Sequence, residues 1–465
     1  MSCNEGWIVC RGWSRALKRS NQYVCQQCGA THSKWSGRCD NCGEWNSLVE
    51  QPVETAGASV VSKSSSKGKD LKASSLSEAT AEKVASRIRT GIGDMDEVLG
   101  GGFLPGGVVL VAGQPGIGKS TLLTQIASTI GSKNPVLYVS GEESIHQIKL
   151  RAERLGASSS GSLKLASSNS AEDIAASIRT GRYKMVIVDS IQTLSLAEIS
   201  SAPGSVSQIT NSSNVIIRAA KATDTAAILV GHVTKEGSIA GPKVLEHLVD
   251  VVLNFEGDRY GGFRVVRAQK NRYGSTTEAA IFEMNDQGLQ IVENPSASLL
   301  AERQNLDGSI VLATLEGTRP LLVEIQALVN PTSFGYPKRT ASGFDLNRLN
   351  LLIAVLEKRT KLKLSDKDIF VNVVGGLKLS DPAADLAVVM AIASASAGRK
   401  LSDDAVVFGE VGLGGEVRSA SSWHTRVKEA KKLGFKYAIA PKTHAKDKFV
   451  RGVGDLRQAL IEYLQ

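Results

Sequence analysis

A chain of 465 residues is long for one hydrophobic core, so two or three domains are expected. With 42% hydrophobic and 22% charged residues and no apolar run near the ~18 residues that span a bilayer, it reads as a globular cytoplasmic protein, not a membrane protein. Its 55 basic and 46 acidic residues give +9, and the 24 basic and 18 acidic residues from Leu299 onward account for +6 of that, a surplus that suits a polyanionic partner such as nucleic acid.

Residues 1–21 contain Arg11, Arg15, Lys18 and Arg19 but no continuous apolar segment, so they read as a disordered leader and not a secretory signal. Residues 22–50 carry Cys25-Gln26-Gln27-Cys28 and Cys39-Asp40-Asn41-Cys42. Two C-x2-C knuckles separated by ten residues can bring four thiolates to one tetrahedral Zn²⁺, and four protein ligands make the site structural rather than catalytic. Cys3, Cys10 and His32 fall outside this spacing and read as bystanders. Trp35 and Trp45, with the Gly37 turn, are expected to pack over the metal, with stacking on bases as the alternative. Residues 51–86 turn to Ser, Ala, Lys and Glu and are expected to be a flexible linker, because they lack the apolar surface that offsets ordering entropy.

Residues 87–293 alternate strand-like and helix-like stretches, as in an α/β parallel sheet. The apolar run Val108-Val109-Leu110-Val111-Ala112 enters Gly113-Gln114-Pro115-Gly116-Ile117-Gly118-Lys119-Ser120, and a helical pattern starts at Thr121. Strand, glycine loop and helix in this order make a P-loop. Its backbone N–H groups and helix N-terminus face a polyphosphate, Lys119 reaches the β- and γ-phosphates, and the Ser120 hydroxyl ligates Mg²⁺.

Further along, Val136-Leu137-Tyr138-Val139-Ser140 ends in Gly141-Glu142-Glu143, which offers Glu142 as the carboxylate that directs water, with Glu143 as the fallback and helix capping as the structural alternative. Met185-Val186-Ile187-Val188-Asp189-Ser190 has the form of a Walker B strand, with Asp189 in the Mg²⁺ shell. His232, at the end of Ala227–Val230, either senses the γ-phosphate or hydrogen-bonds within the core. Residues 195–213 and 235–243 read as loops that can follow a phosphate backbone. Lys270-Asn271-Arg272-Tyr273-Gly274 ends a strand from about Gly262, and its basic pair can serve a neighbouring subunit's nucleotide, Arg272 as a trans finger, or be plain surface charge.

Taken in order, these parts resemble one family. Trp35-Ser36-Gly37-Arg38-Cys39 with Cys42-Gly43 and Trp45, Thr90-Gly91-Ile92, Leu99-Gly100-Gly101-Gly102, the P-loop, Val139-Ser140-Gly141-Glu142-Glu143-Ser144 and Gly231-His232-Val233-Thr234-Lys235-Glu236-Gly237 look like the bacterial RadA (Sms) family of DNA-repair ATPases, from about Gln22 to the C-terminus. The resemblance implies a RecA-like ATPase core in a homo-hexameric ring, driving branch migration of recombination intermediates alongside the RecA recombinase. It implies ATP, Mg²⁺ and Zn²⁺ as cofactors and single-stranded and branched DNA as partners. Lys270, Asn271, Arg272, Tyr273 and Gly274 take the place of the family's K-N-R-F-G motif, with Tyr273 for the phenylalanine.

Residues 299–465 contain Val373-Val374-Gly375-Gly376-Leu377, Asp381-Pro382-Ala383-Ala384-Asp385-Leu386-Ala387 and Gly409-Glu410-Val411-Gly412-Leu413, and are similar to the proteolytic domain of Lon. Ala383 stands where that domain has its serine, and His424 or a neighbour stands near the lysine's place. A methyl group cannot attack a carbonyl, so an ATP-dependent peptidase is disfavoured. A non-motor ATP switch is the other rival. Arg303, Arg339, Arg348, Arg418 and Arg426 are candidate phosphate contacts of a domain expected to bind DNA and help assemble the ring.

Overall fold

The computed structural model describes residues 21–25, 30–45, 47–52, 86–156, 161–232, 244–257, 263–333 and 335–464. Cys3, Cys10, Cys28, most of the linker and the loop 235–243 lie outside these residues.

The chain forms two compact units. In the smaller, β1 (Asn21–Cys25) pairs antiparallel with both β2 (Thr31–His32) and β3 (Leu48–Pro52). The described core of this ribbon is Cys25, Cys39 and Leu48, too little apolar surface for independent stability, so its fold needs the cross-link a metal supplies.

In the larger unit, α1 (Gly93–Val98) precedes β4 (Val108–Gly113), which leads through the glycine loop into α2 (Lys119–Gly131). There follow β5 (Val136–Ser140), α3 (Ile145–Arg154), β6 (Leu163–Ser167), α4 (Ala171–Arg179), β7 (Met185–Asp189), α5 (Val206–Ala222), β8 (Ala226–His232), α6 (Val244–Leu248) and β9 (Val251–Gly257). β10 (Arg264–Asn271), β11 (Ala279–Asn285) and β12 (Gly288–Ile291) close the sheet, whose order is β12-β11-β10-β9-β4-β8-β7-β5-β6.

The six strands from β9 to β6 in that order are parallel. β4, β5, β7 and β8 are buried on both faces, which is why they read as continuous apolar runs, whereas β6 at the sheet edge is half-exposed. Alternate residues serve opposite cores: Val109 and Val111 pack with Leu122, Leu123 and Ile126 of α2, while Val108 and Leu110 pack with Ile216 and Ile217 of α5.

Two expectations need correction. The sheet is not wholly parallel, because β10, β11 and β12 run antiparallel to their neighbours; the connections between them are too short for the crossover that a parallel pair requires. The stretch 195–213 is a loop only in its first half. From Val206 the chain is helical, and Ile209, Ser212, Ser213 and Ile216 form a buried stripe at helical spacing that the serine-rich composition hides.

Beyond α7 (Pro295–Leu300), a seven-stranded sheet is built from β13 (Ser309–Glu316), β14 (Arg319–Pro331), β15 (Arg339–Ser342), β16 (Lys367–Val373), β17 (Ala405–Val407), β20 (Tyr437–Pro441) and β21 (Val450–Val453), in the order β15-β16-β14-β13-β17-β20-β21. The short strands β18 (Glu410–Val411) and β19 (Val417–Arg418) pair apart from it. Helices α8 (Leu346–Thr360), α9 (Asp385–Ala397), α10 (Trp423–Lys432) and α11 (Leu456–Tyr463) complete the lobe, and α9 is buried all round from Asp385 to Ser394.

The two lobes share a core. Val265 and Ile281, from β10 and β11, belong to the same buried cluster as Ile310–Ala313 of β13. Arg267 of β10 pairs with Glu316 of β13 at 2.8 Å, and Arg319 of β14 pairs with Asp94 of α1 at 2.5 Å. Burial pushes the Glu316 carboxyl above its usual range, against the opposite pull of the Arg267 guanidinium. No helix among the described residues is long and apolar enough to cross a membrane.

Candidate nucleotide site

The loop that follows β4 is shaped by Gly116 and Gly118, both at positive φ (78° and 115°), where a side chain would be strained; Gly118 then caps α2. Lys119 is 4% exposed. Its ammonium donates to Gly113 O at 2.7 Å and Gln114 O at 3.0 Å and lies 3.2 Å from His232 Nδ1. The ammonium is thus held inside the curl of the loop, where the helix N-terminus also directs its partial positive charge.

The acidic groups come from neighbouring strand ends. Asp189, at the end of β7, accepts the Ser120 hydroxyl at 2.6 Å and the Tyr138 hydroxyl at 2.7 Å on the same oxygen, Oδ2. Burial, with the Asp189 charge beside it, holds the Tyr138 phenol well above its usual range, so it stays a donor. One hydroxyl and one carboxylate oxygen meeting at the start of α2 make a donor set of the kind Mg²⁺ takes, so the residues present fit that ion.

Glu142 and Glu143 follow β5, and both their N–H groups donate to the buried Ser140 hydroxyl. Their side chains then part. Glu143 is clamped by Arg151, whose Nη1 donates to Oε1 at 2.7 Å and whose Nη2 lies 2.6 Å from Oε2. Glu142 accepts Ser190 Oγ at 2.7 Å, and the same Oε1 lies 3.6 Å from His232 Nε2. His232 therefore stands between the Lys119 ammonium and the Glu142 carboxylate, one ring nitrogen toward each. The clamp on Glu143 favours Glu142 as the group able to meet a water.

Lys270, Asn271, Arg272, Tyr273 and Gly274 lie elsewhere. Asn271 pairs with Val251, and Val251 pairs with Val109, so the motif sits at the amino end of β4, roughly 13 Å from Gly113 at about 3.3 Å per residue. Lys270 donates to the carbonyls of Glu246 and Val249 at 2.6 and 2.8 Å, at the end of α6. Burial, then the neighbouring Arg272 charge, lowers its pKa. Arg272 and Lys221 each lie 3.2 Å from Oδ1 of the buried Asp250, whose Oδ2 accepts Val108 N–H at 3.0 Å. Within one chain this basic pair does not adjoin the P-loop.

In the ribbon, one ligand atom from each of Cys25, Cys39 and Cys42 falls within 4.8 Å of the others, and the Cys25 and Cys42 sulfurs are 3.6 Å apart. Zn–S bonds of about 2.3 Å at tetrahedral angles place sulfurs ~3.7 Å apart, so the cluster fits Zn²⁺. His32 Nε2 lies 3.5 Å from Cys39 Sγ, a hydrogen-bond contact to the cluster. Trp35 and Trp45 are 59% and 68% exposed, so neither packs over the cysteines as expected; Trp45 instead meets the Arg38 guanidinium, 5.8 Å from its ring.

In the C-terminal lobe, Ala383 is buried beside an ion pair. Asp381 accepts Ala383 N–H at 3.0 Å, Thr314 Oγ1 at 3.0 Å and Arg426 Nη1 at 2.6 Å. Arg426 is wholly buried and cannot reach a polynucleotide, which corrects its place among the phosphate candidates. Arg348 is taken by Asp385, Arg418 by Glu416 and Arg303 by Asp403, while Arg339 has no ion-pair partner among the described residues. His424 is exposed and stacks on Trp423 with ring centres 3.5 Å apart.

Four participants escape a linear reading: Tyr138, Arg151, Ser190 and Asp250. Tyr138 and Asp250 look like core and turn residues until strand pairing brings Asp189 and Arg272 to them. Ser190 carried a signal, standing directly after the Walker B acid.

A glycine loop with a buried lysine, facing two strand-end acids and a bridging histidine, defines a P-loop ATPase core of the RecA-like class, here joined to a zinc ribbon and a Lon-like domain. Family models agree: AAA domain matches residues 77–238, Rubredoxin metal binding domain residues 23–50, and Subunit ChlI of Mg-chelatase residues 349–444. DNA repair protein RadA of Bacillus subtilis (strain 168) is 47% identical over 451 residues, covering 95% of this chain and 98% of that protein. Its namesake from Brucella abortus (strain 2308) is 48% identical over 431 residues, covering 90% and 91%. The crystal structure of the RadB recombinase is 24% identical and covers 44% of this chain and 100% of that one, with a TM-score of 0.36. The chain belongs to the DNA repair protein RadA family. Its cofactors are ATP with Mg²⁺ at the core and Zn²⁺ in the ribbon.

Proposed function

We propose that this protein is a DNA-dependent ATPase that translocates on single-stranded DNA and promotes branch migration of branched recombination intermediates alongside the RecA recombinase. The observation that carries this reading is the division of the sheet. Lys119, Ser120, Asp189, Glu142 and His232 gather at the carboxyl ends of β4, β7, β5 and β8, whereas Lys270 and Arg272 lie at the opposite end. A site whose basic finger is out of reach of its own P-loop is completed by a second copy, which favours a ring and, by family resemblance, a homo-hexamer.

In this reading, the backbone from Gly113 to Thr121 cradles the phosphates, and Lys119 exchanges its carbonyl partners for phosphate oxygens. Ser120 and Asp189 hold Mg²⁺, which when bound neutralises charge on the β- and γ-phosphates. Glu142, oriented by Ser190, directs the attacking water, and His232 senses the γ-phosphate between Lys119 and Glu142. Arg272, with Lys270, reaches the nucleotide of the adjoining subunit. The cavity walled by Trp423, His424, Lys446 and Lys448 sets rings beside cations and suits a single strand.

The test is ATP turnover with and without single-stranded DNA, on protein whose mass in solution is measured alongside. Turnover raised by DNA in a multimer of six chains is the expected result. Failure of the pure protein to retain any adenine nucleotide with magnesium present overturns the reading.

A further inference from the structure

The cleft between the P-loop and the C-terminal lobe is a cavity of about 380 Å³, within the range of small-ligand sites. Gln114 and Ile117 of the P-loop form one side, Asn254, Phe255 and Glu256 at the end of β9 a second, and Leu377 and Lys378 of the C-terminal lobe a third. Ile117, Phe255 and Leu377 supply buried apolar surface, and Asn254, Glu256 and Gln114 supply amide and carboxylate groups at the rim. Glu256 is paired with Arg267 at 3.2 Å, and Arg267 with Glu316. Lys378 is exposed and has no hydrogen bond or ion pair among the described residues. Its ammonium is therefore available to a ligand.

Strand order sets the direction in which a nucleotide lies. Apart from Lys119, which follows β4 itself, the groups assigned to the terminal phosphate, Asp189, Glu142 and His232, follow β7, β5 and β8, all on one side of β4. The nucleoside, at the other end of the polyphosphate, leaves over the opposite side. There the neighbour of β4 is β9, and the end of β9 walls the cleft. We propose that this cleft receives the nucleoside of the bound nucleotide, so that Leu377 and Lys378 of the Lon-like domain complete the nucleotide site of the same chain. Apolar walls suit the faces of a base, and the Lys378 ammonium suits ribose hydroxyls or ring nitrogens. The inference rests on the reading that the P-loop holds a nucleoside triphosphate.

The experiment uses the full-length chain with magnesium and two ligands, a fluorescent ADP and inorganic tripolyphosphate as its competitor. Lys378→Ala, at an exposed position, is expected to weaken ADP about five- to tenfold and leave tripolyphosphate unchanged, as loss of one charge-assisted bond to the nucleoside requires. Equal weakening of both ligands overturns the nucleoside assignment, and so does no change in either. Lys119→Ala is the control for the underlying reading, and is expected to weaken both. If Lys119→Ala weakens neither, the P-loop assignment itself falls, an outcome distinct from failure of the cleft. Irradiation with 8-azido-ADP locates the base directly: attachment within 254–257 or 376–378 is expected, and attachment confined to other segments overturns the proposal.

Discussion

Gly274 lies against Gly100 so closely that a Cβ on Gly274 would fall 2.8 Å from the Gly100 Cα, and one on Gly100 would fall 2.9 Å from Tyr273 O. The Leu99–Gly102 turn and the Lys270–Gly274 motif, far apart in sequence, are thus the two halves of one backbone contact, reinforced by Asn271 donating to Val98 O at 3.1 Å and Arg87 donating to Tyr273 O at 3.1 Å. The turn that precedes the P-loop packs against the backbone that follows the basic pair. Gly274→Ala is expected to cost about 1–3 kcal/mol, because backbone must move to admit the methyl group. Thermal unfolding measures this loss, and DNA-stimulated turnover is expected to fall more than nucleotide affinity.

The trans assignment of Arg272 is checked by mixing. Lys119→Ala and Arg272→Ala proteins are each expected to be inactive as ATPases, the first for want of a phosphate grip and the second for want of a finger. Mixed rings pair the intact P-loop of one with the intact finger of the other, so recovered turnover is the expected outcome. No recovery in rings proven to be mixed contradicts a finger supplied by the neighbour.

Glu142 and Glu143 separate cleanly by substitution. Glu142→Gln is expected to lower turnover about a hundredfold or more with ADP binding retained, since a carboxamide cannot take a proton from water. Glu143→Gln breaks the half-exposed pair with Arg151, and the expected effect is mainly on stability, about 0.5–1 kcal/mol. Turnover and chemical denaturation of the two variants, side by side, decide between them.

Tyr273 makes an alkaline prediction. Burial, with the Asp250 charge and hydrogen bond adding to it, pushes its phenol from 10.0 up to about 12. The folded state holds this proton more tightly than the unfolded chain, so the stability it contributes is complete below about pH 10 and is lost as pH rises toward about 12. Tyr273→Phe keeps the ring and removes the titration. Denaturation midpoints of the variant are expected to fall less steeply than wild type across that window, with turnover at neutral pH unchanged.

The ribbon is tested by its metal. Cys39→Ser removes a buried thiolate from the three-cysteine cluster, and the intact chain is expected to lose its zinc by atomic absorption. His32→Ala, at a ring nitrogen 3.5 Å from that sulfur, is expected to weaken retention against a chelator without emptying the site.

Much of the nucleotide site was legible before any fold was known. Gly113–Thr121 is a local device whose loop, glycines and following helix are all consecutive, so its shape is written in one stretch of chain. The same holds for the strand-end acids, because a buried parallel strand is a short apolar run and the residue that ends it lies at the edge where ligands bind. The cysteine knuckles are likewise set by spacing alone. What was misread has a common cause. The stripe of α5, the exposure of Trp35 and Trp45, and the burial of Arg426 all depend on which surface each side chain meets, and composition does not carry that.

By itself, then, the order of residues determined the chemistry available: a phosphate loop, two acids at strand ends, a basic pair and a thiolate cluster. Tertiary structure decided how these are apportioned. It turned Glu143 toward Arg151 and left Glu142 facing His232, set the Asp381–Arg426 ion pair beside Ala383, and put Lys270 and Arg272 at the far end of the sheet from Lys119. Local motifs are encoded by near neighbours in sequence, whereas strand order and the pairing of charges across strands arise only when distant segments share one core.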